Sequence, residues 1–129
     1  MTDANKKANT TLAMVTIDCD DPRAMAKFYS SLLGWEVTYE DDAATMVSSG
    51  SGPALGFGKT DDYVRPQWPD NGRKQFHLDL SVDDIAAAEQ RAIELGAQRP
   101  DEQPGGDKWR VLLDPAGHPF CLAVWNASQ

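Results

Sequence analysis

An internal repeat constrains the fold of this chain more than any other feature. The segment Met14–Asp21 reads MVTIDCDD and is followed by an amphipathic stretch that ends at Leu33-Gly34. The segment His77–Asp84 reads HLDLSVDD and is followed by a similar stretch that ends at Leu95-Gly96. The two halves stay in register apart from one residue within the helix. Two copies of one supersecondary unit are the simplest explanation.

Each copy has the pattern of a strand, a helix and further strands. Alternating apolar and polar residues predict strands over 12–19 and 76–82. Asp21 followed by Pro22 predicts the start of the first helix, and Asp83 or Asp84 caps the second. Short strand candidates follow each helix. The predicted fold is α+β, with two βαβββ repeats forming a curved mixed, mostly antiparallel sheet around a cavity.

Length and charge limit the organisation and the partners of the chain. The 129 residues predict a single domain, 1–129, with repeat units at about 11–58 and 75–126 and a loop over 59–74. Twelve Lys and Arg against twenty Asp and Glu give a net charge of -8. This charge repels phosphate groups, so we expect neither nucleic acid nor membrane as a partner. No segment has the apolar length of a membrane span, and we expect a cytoplasmic protein.

Several polar side chains lie on the strand face opposite to the one that covers the helices. In the first strand these are Thr16 and Asp18, and in the repeated strand they are His77 and Asp79. Such groups are costly on an interior sheet face unless they are hydrated, paired or binding something. We therefore expect this face to line the cavity.

The last strands extend the set of cavity residues. The spacing from Gly52 to Gly56 matches that from Gly117 to Cys121, so Met14, Gly56, His77 and Cys121 would occupy four related positions facing one cavity. Trp125 follows Cys121 on the same face, and Trp68 lies in the Pro-rich loop, where it could cover the cavity or contact a second subunit. Trp125 and Cys121 have core packing as their structural alternative, whereas a core role is less natural for Trp68 in its loop. We expect His118 to be exposed at a turn.

Three segments carry a family resemblance. FYSSLLGWEV follows the first Asp-Pro, FHLDLSVDDIAAAEQRAIELGA lies in the middle and DPAGHPFCL lies near the end. From about Leu12 to Trp125 the chain resembles the vicinal oxygen chelate superfamily, which contains glyoxalase I, extradiol dioxygenases, fosfomycin-modifying enzymes and bleomycin-binding resistance proteins. The glyoxalase-like domain proteins are the most similar group. The resemblance implies a homodimer with sites at or near the subunit boundary.

The resemblance also bears on metal binding. Catalytic members hold a divalent metal with His, Glu or Gln at the four related positions, and this sequence keeps only His77. Met14 and Gly56 offer no suitable ligand, so we expect neither a metal nor another cofactor. The alternative is a rebuilt divalent metal site from His77, Cys121 and either Asp79 or Asp18. It is disfavoured because Asp79 lies two residues beyond His77 along the strand.

These observations lead to a functional prediction. We expect a metal-independent protein of the glyoxalase and bleomycin-resistance type that binds a small molecule, an antibiotic or a metabolite, and no catalytic residue. The alternative is a metal-dependent lyase, isomerase or dioxygenase that uses His77, and a third possibility is a structural dimer with a closed cavity. Acidic residues in the cavity favour neutral or cationic ligands. The candidate ligand-binding residues are Met14, Thr16, Asp18, Trp68, His77, Asp79, Cys121 and Trp125.

Overall fold

The computed structural model describes residues 11–69 and 76–124, which contain two units of strands and helices. The elements of the first unit are β1 (Met14–Cys19), α1 (Pro22–Leu33), β2 (Glu36–Glu40), β3 (Ala44–Ser48) and β4 (Ala54–Lys59). The elements of the second unit are β5 (Leu78–Ser81), α2 (Ile85–Leu95), β6 (Trp109–Leu113) and β7 (Pro119–Ala123). Neither of these helices is long and apolar enough to cross a membrane.

The strands form two mixed sheets, in the orders β1-β4-β3-β2 and β5-β7-β6. In each sheet the first strand of the unit pairs in parallel with the last, and Thr16 lies opposite Gly56 just as Asp79 lies opposite Cys121. The predicted α+β class and its two repeats are therefore confirmed. The sheets are open, with β1 and β5 each at an edge.

Within the described residues, the second unit has three strands instead of the four that the βαβββ pattern predicts. After α2, Gln98 makes only an isolated bridge to Leu113 instead of a full strand. The segment that follows contains Pro100, Pro104 and two consecutive glycines. Proline lacks the N–H that a strand ladder needs, and glycine weakens strand pairing, so strand structure does not extend through this segment.

Aspartates begin both helices. The side chain of Asp21 accepts a hydrogen bond from the Ala24 N–H at 3.1 Å, and that of Asp84 accepts one from the Ala87 N–H at 3.1 Å. Asp84 is thus the cap of the second helix, which settles the choice between it and Asp83. After α1, Gly34 takes a left-handed φ of 72°, which favours glycine at a helix end.

The hydrophobic core joins the two units through aromatic side chains. Tyr29 of α1 stacks on Phe57 of β4 with ring centroids 5.3 Å apart. Phe120 of β7 lies edge-on to Phe28 of α1 at 5.9 Å. Trp35 packs at the border of this core. Phe76, which alternation places on the core face, is fully exposed because it precedes the first paired residue of β5.

The turn after β6 fixes the units to each other by hydrogen bonds. The buried Asp114 carboxylate accepts a hydrogen bond from the Tyr29 hydroxyl at 2.7 Å. It also accepts hydrogen bonds from the backbone N–H groups of Ala116 and His118 at 2.9 Å each. Burial raises the pKa of Asp114 above its ordinary value. His118 Nε2 lies 2.7 Å from the carbonyl oxygen of Asp18. The expectation that His118 is merely exposed was wrong, because the residue is half-buried and its ring contacts β1.

Candidate functional site

Each unit presents three side-chain positions at the same place in its sheet. Two of them are two residues apart, in or directly before the first strand, and the third lies on the parallel partner strand opposite the second. In the first unit these residues are Met14, Thr16 and Gly56. In the second unit they are His77, Asp79 and Cys121. The first set forms part of an apolar pocket, and the second forms a polar cluster.

The apolar pocket lies on the first sheet and has a volume of about 180 Å³. It is open to solvent and is lined almost entirely by apolar atoms. Its lining residues are Met14, Thr16, Tyr39, Ala44, Thr45, Met46, Gly56, Phe57 and Gly58. The surface that a ligand would contact therefore consists of thioether, methyl and aromatic groups and glycine backbone.

The Met14 side chain fills the space above Gly56. A Cβ atom on residue 56 would lie 2.8 Å from the sulfur of Met14 and 3.2 Å from the hydroxyl of Thr16. An acidic side chain at position 56 is thus incompatible with Met14 in its present position. The residues of the first unit do not fit the four-ligand metal site that the family resemblance implies.

The polar cluster in the second unit brings three different donor groups together. His77 Nε2 lies 3.4 Å from Asp79 Oδ1. The Cys121 thiol is hydrogen-bonded to Asp79, and ligand atoms of all three residues lie within 4.8 Å of one another. His77 and Asp79 are half-exposed, whereas Cys121 is buried. The objection that Asp79 lies too far along the strand from His77 is removed by this geometry.

Both cysteines are free and protonated near neutral pH. Burial raises the pKa of Cys121 to about 11, and the negative charge of Asp79 acts in the same direction. Burial also raises the pKa of Cys19 to about 11. A neutral thiol is a poor nucleophile, so the arrangement offers no activated cysteine.

The remaining predicted site residues are Asp18, Trp68 and Trp125. Asp18 is exposed on β1 and is not among the residues that line the pocket. Trp68 is half-buried in the loop after β4, joined to Pro69 by a cis peptide bond, and it does not line the pocket either. Trp125 lies outside the described residues.

Sequence reasoning missed the pocket residues that β2 and β3 contribute. Met46 stands between the buried Thr45 and Val47, so the alternation of β3 already indicates that it points to the opposite face. Tyr39 enters the pocket from β2 although the pairing of β2 with β3 is irregular between Val37 and Tyr39. That irregularity leaves no clear signal in the sequence.

A family model described as glyoxalase-like domain matches residues 14–123, the span that holds both repeats and both side-chain groups. The chain belongs to the glyoxalase-like domain family. This membership, together with the solved structures that share the fold, places it in the vicinal oxygen chelate superfamily. A search of curated proteins finds no match.

Solved structures show how widely this fold is shared. A glyoxalase/bleomycin resistance protein/dioxygenase family enzyme from Burkholderia phytofirmans is 22% identical, with a TM-score of 0.66 over 88% of this chain and 97% of its own. A glyoxalase-related enzyme from Fulvimarina pelagi is 21% identical, with a TM-score of 0.65 over 89% and 88%. The fosfomycin resistance protein FosX from Mesorhizobium loti is 15% identical, with a TM-score of 0.65 over 91% and 93%. Because these identities are low, the comparison shows that the glyoxalase-like protein has the same fold as these structures and nothing further.

Proposed function

We propose that this glyoxalase-like protein binds a small molecule in the apolar pocket of its first sheet and needs no metal ion to do so. The observation that carries the proposal is the packing of Met14 against Gly56, which replaces a metal-ligand position by an apolar wall. Binding in such a pocket is driven by burial of apolar surface and by shape.

The lining of the pocket indicates the chemistry of the ligand. Tyr39 offers an aromatic surface, and Met14 and Met46 offer thioethers, which contact aromatic rings favourably. The volume of about 180 Å³ is below the roughly 300–1,000 Å³ of pockets for drug-sized ligands. The pocket therefore suits one or two fused rings, free or as part of a larger antibiotic or metabolite. The net charge of -8 favours neutral or cationic ligands over anionic ones.

A matched series of ligands tests this proposal. The melting temperature of metal-free protein in chelator is measured with 1-naphthylmethanol, 1-naphthylmethylamine and 1-naphthoate, which share one ring system and differ in charge. We expect the neutral and cationic compounds to raise the melting temperature and the anionic one to have a smaller effect. Stabilisation by anionic thiols or phosphonates, with none by the neutral and cationic naphthyl compounds, would contradict the proposal.

A second candidate function is favoured by the cluster of His77, Asp79 and Cys121. We propose as the alternative a metal-dependent lyase, isomerase or dioxygenase that uses these residues in place of the family ligands. It predicts metal-dependent turnover of methylglyoxal hemithioacetal or of a catechol, and loss of that turnover in His77→Ala. Absence of turnover with zinc, nickel, manganese and iron(II) would eliminate this candidate.

We also propose that the protein assembles as a homodimer through the exposed edges β1 and β5. Unpaired edges present free N–H and C=O groups that can pair with another chain. Large apolar side chains are exposed near these edges, among them Met14, Val15 and Phe76. A second copy of the chain would cover them and bring a first unit and a second unit face to face.

A further inference from the structure

We propose that His77, Asp79 and Cys121 form a three-ligand site for Zn²⁺ or a chemically similar divalent transition-metal ion. The site lies in the second sheet, apart from the apolar pocket, and combines two of the four related positions, His77 and Cys121, with Asp79, which is not one of them. The proposal deepens the second candidate function by naming its metal ion and ligands, and it concerns metal binding alone, whether or not the protein turns over a substrate.

The backbone holds the three residues on one face. Asp79 and Cys121 are direct neighbours across the parallel pair of β5 and β7. His77 precedes Asp79 by two residues and so projects to the same side. The other face of β5 carries Leu78 and Leu80, which pack against the core and fix the orientation of the strand. The register of the sheet therefore positions Asp79 and Cys121, and His77 lies just before β5 with its Nε2 3.4 Å from Asp79 Oδ1.

The distances suit a metal ion. Zinc bonds to nitrogen and oxygen are about 2.0–2.2 Å long, and a tetrahedron with such bonds has edges of about 3.4 Å. His77 Nε2 and Asp79 Oδ1 are 3.4 Å apart. All the ligand atoms lie within 4.8 Å of one another. Side-chain rotations that move these atoms by about 1 Å therefore bring the thiol within bonding distance of the same ion.

The donor set selects the kind of ion. It combines an imidazole nitrogen, a carboxylate oxygen and a sulfur, and sulfur disfavours Mg²⁺, Ca²⁺ and Mn²⁺ relative to Zn²⁺. When the metal binds, a bond forms between the metal and Cys121 Sγ, and the thiol proton passes to solvent. The bound ion carries two positive charges, which compensate the adjacent thiolate and carboxylate.

Three protein ligands leave one tetrahedral position for water or another small ligand. His77 and Asp79 have side-chain exposures of 43% and 52%, so the cluster is accessible to solvent and an ion can enter it. In this respect the proposed site resembles catalytic and exchangeable zinc sites, and it differs from structural sites that are closed by four residues.

Cobalt titration of the metal-free full-length chain tests the proposal. Co²⁺ bound through a thiolate gives a ligand-to-metal charge-transfer band in the near ultraviolet. We expect this band to saturate at one equivalent and to be displaced by one equivalent of Zn²⁺. A protein that shows no such band when Co²⁺ is in excess would overturn the proposal.

Matched variants assign the band to these residues. We expect Cys121→Ser to abolish it, and His77→Gln and Asp79→Asn to lower the affinity by more than the roughly 10–100-fold cost of losing an outer-shell partner. Cys19→Ala removes the other free cysteine and should leave the band unchanged. If Cys121→Ser fails to fold by circular dichroism, the two variants at half-exposed positions still provide the test. A band that depends on Cys19, or an affinity unchanged in both half-exposed variants, contradicts the assignment.

Discussion

Asp114 is the residue whose hydrogen bonds most clearly determine how the two units meet. Its side chain is fully buried and accepts three hydrogen bonds, from Tyr29, Ala116 and His118. The sequence shows only an Asp-Pro-Ala-Gly turn, in which an aspartate at the first position is ordinary. The long-range partner Tyr29 could not be foreseen, because its position follows the helical stripe of α1 and looks like plain core packing.

Removing the Asp114 carboxylate should destabilise the protein strongly. We expect Asp114→Ala to lower the free energy of unfolding by about 3 kcal/mol or more, because each buried donor left without an acceptor costs about 1–3 kcal/mol. Urea denaturation followed by circular dichroism measures the change. Asp107→Ala, at an exposed position, serves as the control. Equal losses in the two variants would show that the buried hydrogen bonds contribute nothing.

The buried thiol of Cys19 predicts a loss of stability at alkaline pH. Its pKa is raised from 9.0 to about 11 in the folded protein, so the folded state holds this proton more tightly than the unfolded chain. The stabilising contribution is complete below pH 9.0 and is lost as the pH rises to about 11. Denaturation at several pH values should therefore show a shallower decline in Cys19→Ala over that interval. The same decline in both proteins would exclude a contribution from this thiol.

The two helix caps show that the repeat extends to atomic detail. Asp21 and Asp84 accept the same kind of bond at the same distance of 3.1 Å. We expect Asp21→Ala and Asp84→Ala each to cost about 1 kcal/mol of unfolding free energy. The adjacent Asp20→Ala and Asp83→Ala should cost much less. Thermal denaturation compares the four variants, and similar losses in each neighbouring pair would argue against capping.

The order and class of the elements could be predicted because the signals are local. Alternation identifies β1 and β5, and Asp-Pro together with Leu-Gly identifies the limits of α1. The segment after α2 was harder to predict, since Gln98 and Arg99 have the pattern of a strand. Whether they form one depends on tertiary pairing. Their only ladder contact is the single bridge between Gln98 and Leu113.

The candidate site could be predicted in part for the same reason. The period of two along β1 and β5 correctly grouped Met14 with Thr16 and His77 with Asp79. Their placement in two different sheets depends on strand pairing, which spacing does not fix. The distance between His77 and Asp79 depends on side-chain rotamers, which the sequence does not contain.

The assembled protein should be a dimer if the open edges pair as proposed. Val15 is an exposed apolar residue on the edge strand β1, and we expect Val15→Lys to shift the molar mass from two copies of the chain to one. Val64→Lys introduces the same charge in an exposed loop and should leave the dimer intact. Sedimentation equilibrium over a range of concentrations measures both. A monomeric parent protein, or equal effects of the two changes, would contradict this assembly.

Metal-independent binding in the apolar pocket is tested most directly by blocking that pocket. A Cβ on Gly58 would meet only the Thr16 methyl group at 3.7 Å, an ordinary contact, so Gly58→Leu places a side chain in the pocket without a backbone clash. Ser51→Leu adds the same side chain at an exposed position outside the pocket. Calorimetric titration of the metal-free proteins with 1-naphthylmethanol should show binding to the parent and to Ser51→Leu. Gly58→Leu should bind at least about tenfold more weakly, which corresponds to about 1.4 kcal/mol. Equal affinity in all three proteins, or no binding to the metal-free parent, would contradict the account.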